Sequence, residues 1–338
     1  MSRWLPQDAV RSGIRNPTAI PKHIKRNVID ELRQQIRLGI ATAALPNQAD
    51  LLAELRRKDS FCLIVLDACR HDHLETLFPL FFEGRVKPTK TVATNTFEYL
   101  QYNWPETYAY PYVTAATPVT SEAFEFDGQD SGDGLPQEDL YAYYRGYTPI
   151  NHFTDLVEVW RDSWDSELRV CPPEPTTRRA IARADDAARM VVHYFQPHAP
   201  FIGERRPDLS RERSTIHDEN VKIDEDVWDA VKSGSISTSE LGQYYSSNLR
   251  RVLAAVSKLV SQTQFDRYVL IGDHGEALGE YGGFAHSMDH PLVNKVPWAE
   301  VETTKDGCPS MWEYDAPTEN ETGTGTTRSR LKELGYIE

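Results

Sequence analysis

An α/β fold around a mainly parallel sheet is predicted by two observations. Phe61-Cys-Leu-Ile-Val-Leu66 and Tyr268-Val-Leu-Ile-Gly272 are short apolar runs, and each stops at an acid, Asp67 and Asp273. Strands apolar on both faces belong to sheets covered by helices on both sides. In addition, helical patterns run into strand-like ones, as crossover connections require. Sheets of that kind place ligands at the carboxyl ends of their strands.

The elements follow in order. Residues 1–58 form a helical extension, with helical spacing in Val28-Ile-Asp-Glu-Leu-Arg-Gln-Gln-Ile and in Ala49-Asp-Leu-Leu-Ala-Glu-Leu. The main domain spans 59–301. Its first strand is 61–66, followed by a short helix within Arg70–Leu80. The Thr-rich segment Thr89–Leu100 runs into another short helix, and Tyr108–Thr114 reads as a strand. Residues 120–175 are rich in Gly, Asp, Pro and aromatics and read as an insertion. Thr177–Arg189 is an amphipathic helix leading into the strand Met190–Phe195. Asp208–Ser239 is polar and loop-like. Leu241–Val260 is the clearest helix, with Leu241, Tyr245, Leu249, Val252, Val256 and Leu259 on one face. It feeds the strand that ends at Asp273. Residues 302–338 form a tail, flexible in part, with Gly and Thr repeats.

The 338 residues can bury a large core, and 40% hydrophobic with 26% charged residues is a globular composition. A net charge of −14, with no basic stripe, argues against nucleic acid as a partner. The acid-rich, arginine-over-lysine composition fits a salt-adapted cytoplasm. No signal-peptide core opens the chain and no apolar run reaches transmembrane length, so the expectation is a cytoplasmic protein. Ile14–Arg37 mixes basic and apolar residues, as a surface helix or a peripheral membrane contact would. Cys62, Cys69, Cys171 and Cys308 form no CxxC pair, so neither a disulfide framework nor a zinc knuckle is expected.

Asp273 and His274, side by side before Gly275, can hold a metal ion or simply form a polar turn. Asp67 at the end of a second buried strand favours the metal reading, because two carboxylates and an imidazole form a divalent-metal site with positions left open.

Asp67, the turn Thr91-Val-Ala-Thr94-Asn-Thr96, Gln196-Pro-His198-Ala-Pro200, Gly272-Asp-His-Gly-Glu276, Tyr281-Gly-Gly-Phe-Ala-His286, Val296-Pro-Trp298 and the closing Leu331-Lys-Glu-Leu-Gly-Tyr-Ile337 occur in this order. Together, between Phe61 and Val301 and at the carboxyl terminus, they resemble the sulfatase-like branch of the alkaline phosphatase superfamily. The resemblance implies a three-layer α/β sandwich and attack by a metal-bound side chain on a phosphate or sulfate ester. It implies Asp67, Asp273 and His274 as metal ligands. An imidazole ligand favours manganese or zinc over calcium or magnesium. It also implies His198 and His286 in contact with the transferred group or the leaving oxygen, with His290 a competitor for the second place. His193, in mid-strand, reads as core. The formylglycine signature is absent, since Cys171-Pro-Pro-Glu-Pro175 lacks the arginine. Thr94 takes the nucleophile's place and would also ligate the metal, with Thr91 and Thr96 as rivals and helix capping as the structural alternative. The expected activity is ester hydrolysis on a small-molecule or glycan ester. Transfer to a glycan or lipid acceptor, or a catalytically silent interaction protein, are the alternatives.

Overall fold

A computed structural model describes residues 36–124, 144–208, 227–286, 290–314, 326–334 and 336. The chain divides into two compact units, residues 1–44 and 45–338. In the first, residues 36–43 are helical; the expected helix around residues 28–35 lies outside the described residues.

The second unit is a seven-stranded sheet flanked by helices. Its strands are β1 (Phe61–Leu66), β2 (Phe82–Lys90), β3 (Tyr108–Thr114), β4 (Phe153–Glu158), β5 (Arg189–Tyr194), β6 (Tyr268–Gly272) and β9 (Lys295–Thr304), in the spatial order β2-β9-β6-β1-β5-β3-β4. Strand β9 pairs antiparallel with both of its neighbours, and the remaining pairs are parallel. The mainly parallel sheet expected from the two apolar runs is present, and those runs are adjacent central strands. All six residues of β1 are fully buried. A two-residue ribbon of β7 (Ala277–Leu278) and β8 (Phe284–Ala285) stands apart.

The helices are α1 (Gln48–Arg56), α2 (His71–Leu77), α3 (Thr96–Asn103), α4 (Val159–Ser163), α5 (Pro173–Ala184), α6 (Val227–Lys232), α7 (Thr238–Gln262), α8 (Pro291–Asn294) and α9 (Thr327–Glu333). Helix α7 starts at a capping box, in which Ser237 and Glu240 satisfy each other's backbone N–H groups. It buries Leu241, Leu249, Val252, Val256 and Leu259, each worth roughly 1.5–3 kcal/mol on burial. It packs on α5, and α1 packs on α3.

Several expectations are revised. Residues 153–158, inside the segment read as an insertion, form the sheet's edge strand β4. Strands β2 and β9 were not anticipated, and β9 runs on to Thr304, into the segment read as tail. Helix α6 lies within the segment read as loop, of which 209–226 fall outside the described residues. Residues 327–333 of the tail form helix α9, capped by Thr326. Among the described residues no helix is long and apolar enough to cross a membrane, and all four cysteines are free.

Candidate active site

Register between β1 and β6 assembles the centre. Leu66 pairs with Gly272, so the next residues, Asp67 and Asp273, emerge side by side at the carboxyl edge, both fully buried. The backbone after β1 turns sharply at Ala68, whose φ of +58° is left-handed and costs about 1 kcal/mol or more in a non-glycine residue. The turn aims the Ala68 N–H at Asp273 Oδ1, 3.0 Å away; the His274 N–H reaches the same oxygen at 2.8 Å. Tyr245 of α7 locks the turn, donating to Ala68 O at 2.7 Å and accepting from the Arg70 N–H at 2.9 Å. A Cβ at Gly272 would lie 2.4 Å from Cys69 O, and one at Gly275 2.2 Å from Leu292 O, so the backbone crosses too closely there for any side chain.

Asp67, Asp273 and His274 converge within the span of one ion: one ligand atom from each lies within 4.8 Å of the others. His274 Nε2 sits 3.3 Å from Asp67 Oδ1 and 3.6 Å from Asp273 Oδ2. His274 Nδ1 faces Gly275 O at 2.9 Å. That contact turns Nε2 toward the carboxylates, the arrangement of a metal-ligating histidine held by a backbone carbonyl. Beyond their 3.3 Å contact with each other, neither Asp67 Oδ1 nor His274 Nε2 has a hydrogen-bond partner.

Between the acids lies Thr96, not Thr94. Thr96 Oγ1 is 3.1 Å from Asp67 Oδ2 and 3.0 Å from Asp273 Oδ2, and the side chain is fully buried. One hydroxyl proton cannot serve two carboxylate oxygens, and this shortage of positive charge suits a divalent cation. Thr96 is the first residue of α3, so the helix's electropositive end faces the acids. The Thr94 hydroxyl and N–H are both taken by Glu98, at 3.1 and 2.9 Å, outside the cradle. Of the three threonines, the geometry sets Thr96 against both acids and leaves Thr94 beside Glu98. Thr91 accepts from the Ala93 N–H. Capping of α3 falls to Asn95, whose side chain accepts from the Glu98 N–H.

Electrostatics bind the cluster together. Burial pushes the Asp67 carboxyl up, but the His274 imidazole outweighs it and holds Asp67 well below the usual range. Burial, reinforced by the Asp67 charge, raises Asp273. Burial disfavours charge on His274, yet the Asp273 and Asp67 carboxylates raise it to about 10. His274 thus retains a proton that a bound cation would displace. The donor set fits a divalent metal: two carboxylates, an imidazole and a hydroxyl.

His198 and His286 form a rim. Their Nε2 atoms are 3.0 Å apart. His286 Nδ1 faces Thr94 O at 2.8 Å, and His198 Nδ1 faces Ala199 O. Both Nδ1 atoms must donate to those carbonyls, so one proton lies between the two Nε2 atoms. Burial and the neighbouring His274 and His198 charges push the His286 imidazole well down. The rings of His274 and His286 are 4.4 Å apart, which ties rim to cradle. Helix α7 holds the His198 loop: Asn248 donates to Pro197 O and His198 O and accepts from the Ile202 N–H, each at 3.1 Å. Arg251 bonds to Ile202 O at 2.8 Å and pairs with buried Glu174 at 2.8 and 3.0 Å. His290 instead accepts from the Leu292 N–H and caps α8.

Three neighbours escaped the sequence. His193, read as core, is buried but lies behind Asp273: Nε2 is 3.8 Å from Asp273 Oδ2, and Nδ1 meets Tyr112 OH at 2.9 Å. A histidine two residues before the end of a buried strand was the available signal. Tyr336 OH reaches Asp67 Oδ2 at 3.0 Å; the closing Leu331–Ile337 motif was the available signal, though it assigned the tyrosine no role. Gln48 of α1 donates to Gly272 O at 2.7 Å, bracing the end of β6. Glu276 is fully buried, with no hydrogen-bond partner on either carboxylate oxygen, and burial pushes its pKa well above the usual carboxylate range. Arg70 is paired with Asp72 and Glu280, each at 2.6 Å. No cysteine joins the cradle: Cys69 Sγ faces Arg70 O and Cys171 Sγ faces Pro172 O.

No family model matches the sequence, and no curated protein does. Among solved structures, the chain is similar to the soluble domain of lipooligosaccharide phosphoethanolamine transferase A from Neisseria meningitidis, at 12% identity, 71% of this chain, 75% of that chain and a TM-score of 0.38. It is similar to a 2-O GAG sulfatase at 10% identity, 72% of this chain, 64% of that one and a TM-score of 0.43. It is similar to the phosphonate monoester hydrolase of Agrobacterium radiobacter at 12% identity, 72% of this chain, 68% of that one and a TM-score of 0.37. These three solved structures are described as a phosphoethanolamine transferase domain, a sulfatase and a phosphonate monoester hydrolase.

Proposed function

We propose that the protein is a metal-dependent phosphate-ester hydrolase in which Thr96 is the nucleophile. The observation that carries this reading is the fully buried Thr96 hydroxyl, 3.1 and 3.0 Å from two strand-end carboxylates that His274 joins. A capping or packing threonine does not bring two buried acids onto its own hydroxyl.

Asp67, Asp273, His274 and Thr96 would hold one divalent ion, with the imidazole favouring manganese or zinc. When bound, the ion supplies positive charge for the Thr96 alkoxide and for the oxygens of the transferred group. Thr96 loses its proton to a carboxylate in contact with it, and its Oγ1 attacks phosphorus. The ester P–O bond breaks, and the proton held between His198 and His286 passes to the departing oxygen. Water then attacks the threonine ester, its proton returns to the same imidazoles, and phosphate leaves as the Thr96 oxygen takes back its proton from the carboxylate.

The test is Thr96→Ala with a panel of aryl phosphate, aryl phosphodiester and aryl sulfate, alongside bound-metal analysis. Metal retained with turnover down about 10³-fold or more supports the reading, in line with loss of a reacting group. Wild-type turnover in Thr96→Ala would sink it. Product carried onto an added alcohol rather than water would mark a transferase.

A further inference from the structure

Tyr336, third from the end of the chain, reaches the middle of the site. Its hydroxyl is 3.0 Å from Asp67 Oδ2 and 3.4 Å from Thr96 Oγ1. Its ring stacks on His198 at 5.5 Å and an interplanar angle of 13°, and lies 6.1 Å from His286. One side chain thus touches the acid, the threonine and both rim imidazoles.

Docking of the tail makes this contact specific. Thr326 caps α9, and Leu331 of that helix is fully buried in a small cluster with Phe97 and Tyr144. Phe97 follows Thr96 directly, so the tail is anchored on the same turn of α3 that presents the hydroxyl. Arg330 lies 4.2 Å over the Trp164 ring. The Tyr336 N–H then closes onto Leu331 O at 2.9 Å.

The proton count gives the phenol a task. Thr96 has one hydroxyl proton and two carboxylate oxygens at equal reach. A phenol donating to Asp67 Oδ2 satisfies that oxygen and leaves Asp273 Oδ2 as the acceptor for Thr96. The orientation of the threonine is then single-valued.

Resting on the reading of Thr96 as nucleophile, we propose that Tyr336 is its positioning residue: the docked carboxyl-terminal helix delivers a phenol that donates to Asp67, directs the Thr96 hydroxyl toward Asp273 and makes the tail an obligatory part of the site.

The test compares wild type, Tyr336→Phe, which keeps the ring on His198, and a chain ending at Leu334. The readouts are kcat and KM for an aryl phosphate, bound metal, thermal midpoint, and the near-ultraviolet tyrosine difference signal on manganese or zinc titration. Tyr336→Phe is expected to lower kcat about 10- to 100-fold, the range for groups that orient a metal site's reacting residues. KM should stay within about twofold and metal content and thermal midpoint should not change, outcomes a merely structural tyrosine would not give. It should also lose most of the metal-induced tyrosine signal, which reports the phenol's place whether or not an ester turns over. The truncated chain should lose at least as much activity. Wild-type kcat in Tyr336→Phe, an undiminished tyrosine signal, or faster turnover after truncation would each overturn the proposal, the last by making Tyr336 a plug. Loss of the Thr96 reading shows separately, as an active Thr96→Ala.

Discussion

The cradle and the rim of this site are built by different means. Asp67, Asp273 and His274 step directly off two paired strands, and strand register sets their spacing. His198, His286 and Tyr336 arrive on two loops and the tail, and are held by side chains reaching in from elsewhere: Asn248 and Arg251 from α7 for the first, the docking of α9 for the last. A cation needs fixed donors, which strands provide. Under the proposed function, an ester with a variable leaving group would be met by the parts that loops can adjust.

The sharpest way to break the cradle is Asp273→Asn. The charge goes while the shape stays, so bound divalent metal should fall and ester turnover should drop by roughly 10³-fold, the scale of several kcal/mol of lost charge stabilisation. An Asp273→Asn protein that keeps its metal and its rate would remove the cradle from the chemistry. On the rim, His286→Ala should retain metal yet lose about 10²-fold or more in kcat, the range of a general acid–base group. Metal loss in that variant would mean that rim and cradle are one unit.

The supports come next. Asn248→Ala leaves the Ile202 N–H and two loop carbonyls without their partner. A cost of about 1–3 kcal/mol is expected, seen as a lower thermal midpoint, with a modest loss of kcat and intact metal binding. The smallest effect belongs to Thr94→Val. Its hydroxyl serves Glu98 alone, so turnover within about twofold of wild type and a stability change near 0.5 kcal/mol are expected. A large loss there, with Thr96→Ala active, would reverse the order of the two threonines.

The same contrast decides what could be read from the chain. Strands β1 and β6 were legible because each is apolar throughout and stops at an acid, and the cradle came with them. The choice among the threonines was not. Three threonines within six residues look alike, and only the start of α3, capped by Asn95, turns Thr96 inward. Strand β2 was hidden by Gly84 and Pro88, tolerable at the sheet's edge. Strand β9, with Pro297 and mixed polarity, pairs with residues more than 190 positions away in β2. His193 reads as core because it sits in mid-strand; its approach to Asp273 depends on the registers of β5 and β6 on the β1 strand between them. Tyr336 depends on where a distant helix docks, which no local pattern encodes.

The pairing of Leu66 with Gly272 also makes the site intolerant of length changes. Side chains alternate faces along a strand, so one residue inserted into or deleted from β6 would present Asp273 to the opposite layer of the sandwich and bring another residue to its place. Substitutions along these strands can be absorbed by repacking, whereas a single-codon insertion or deletion there would erase the site even in a chain that still folds. In a collection of random variants of this protein, the strands should accept conservative replacements and reject every shift of frame length before Asp67 and Asp273.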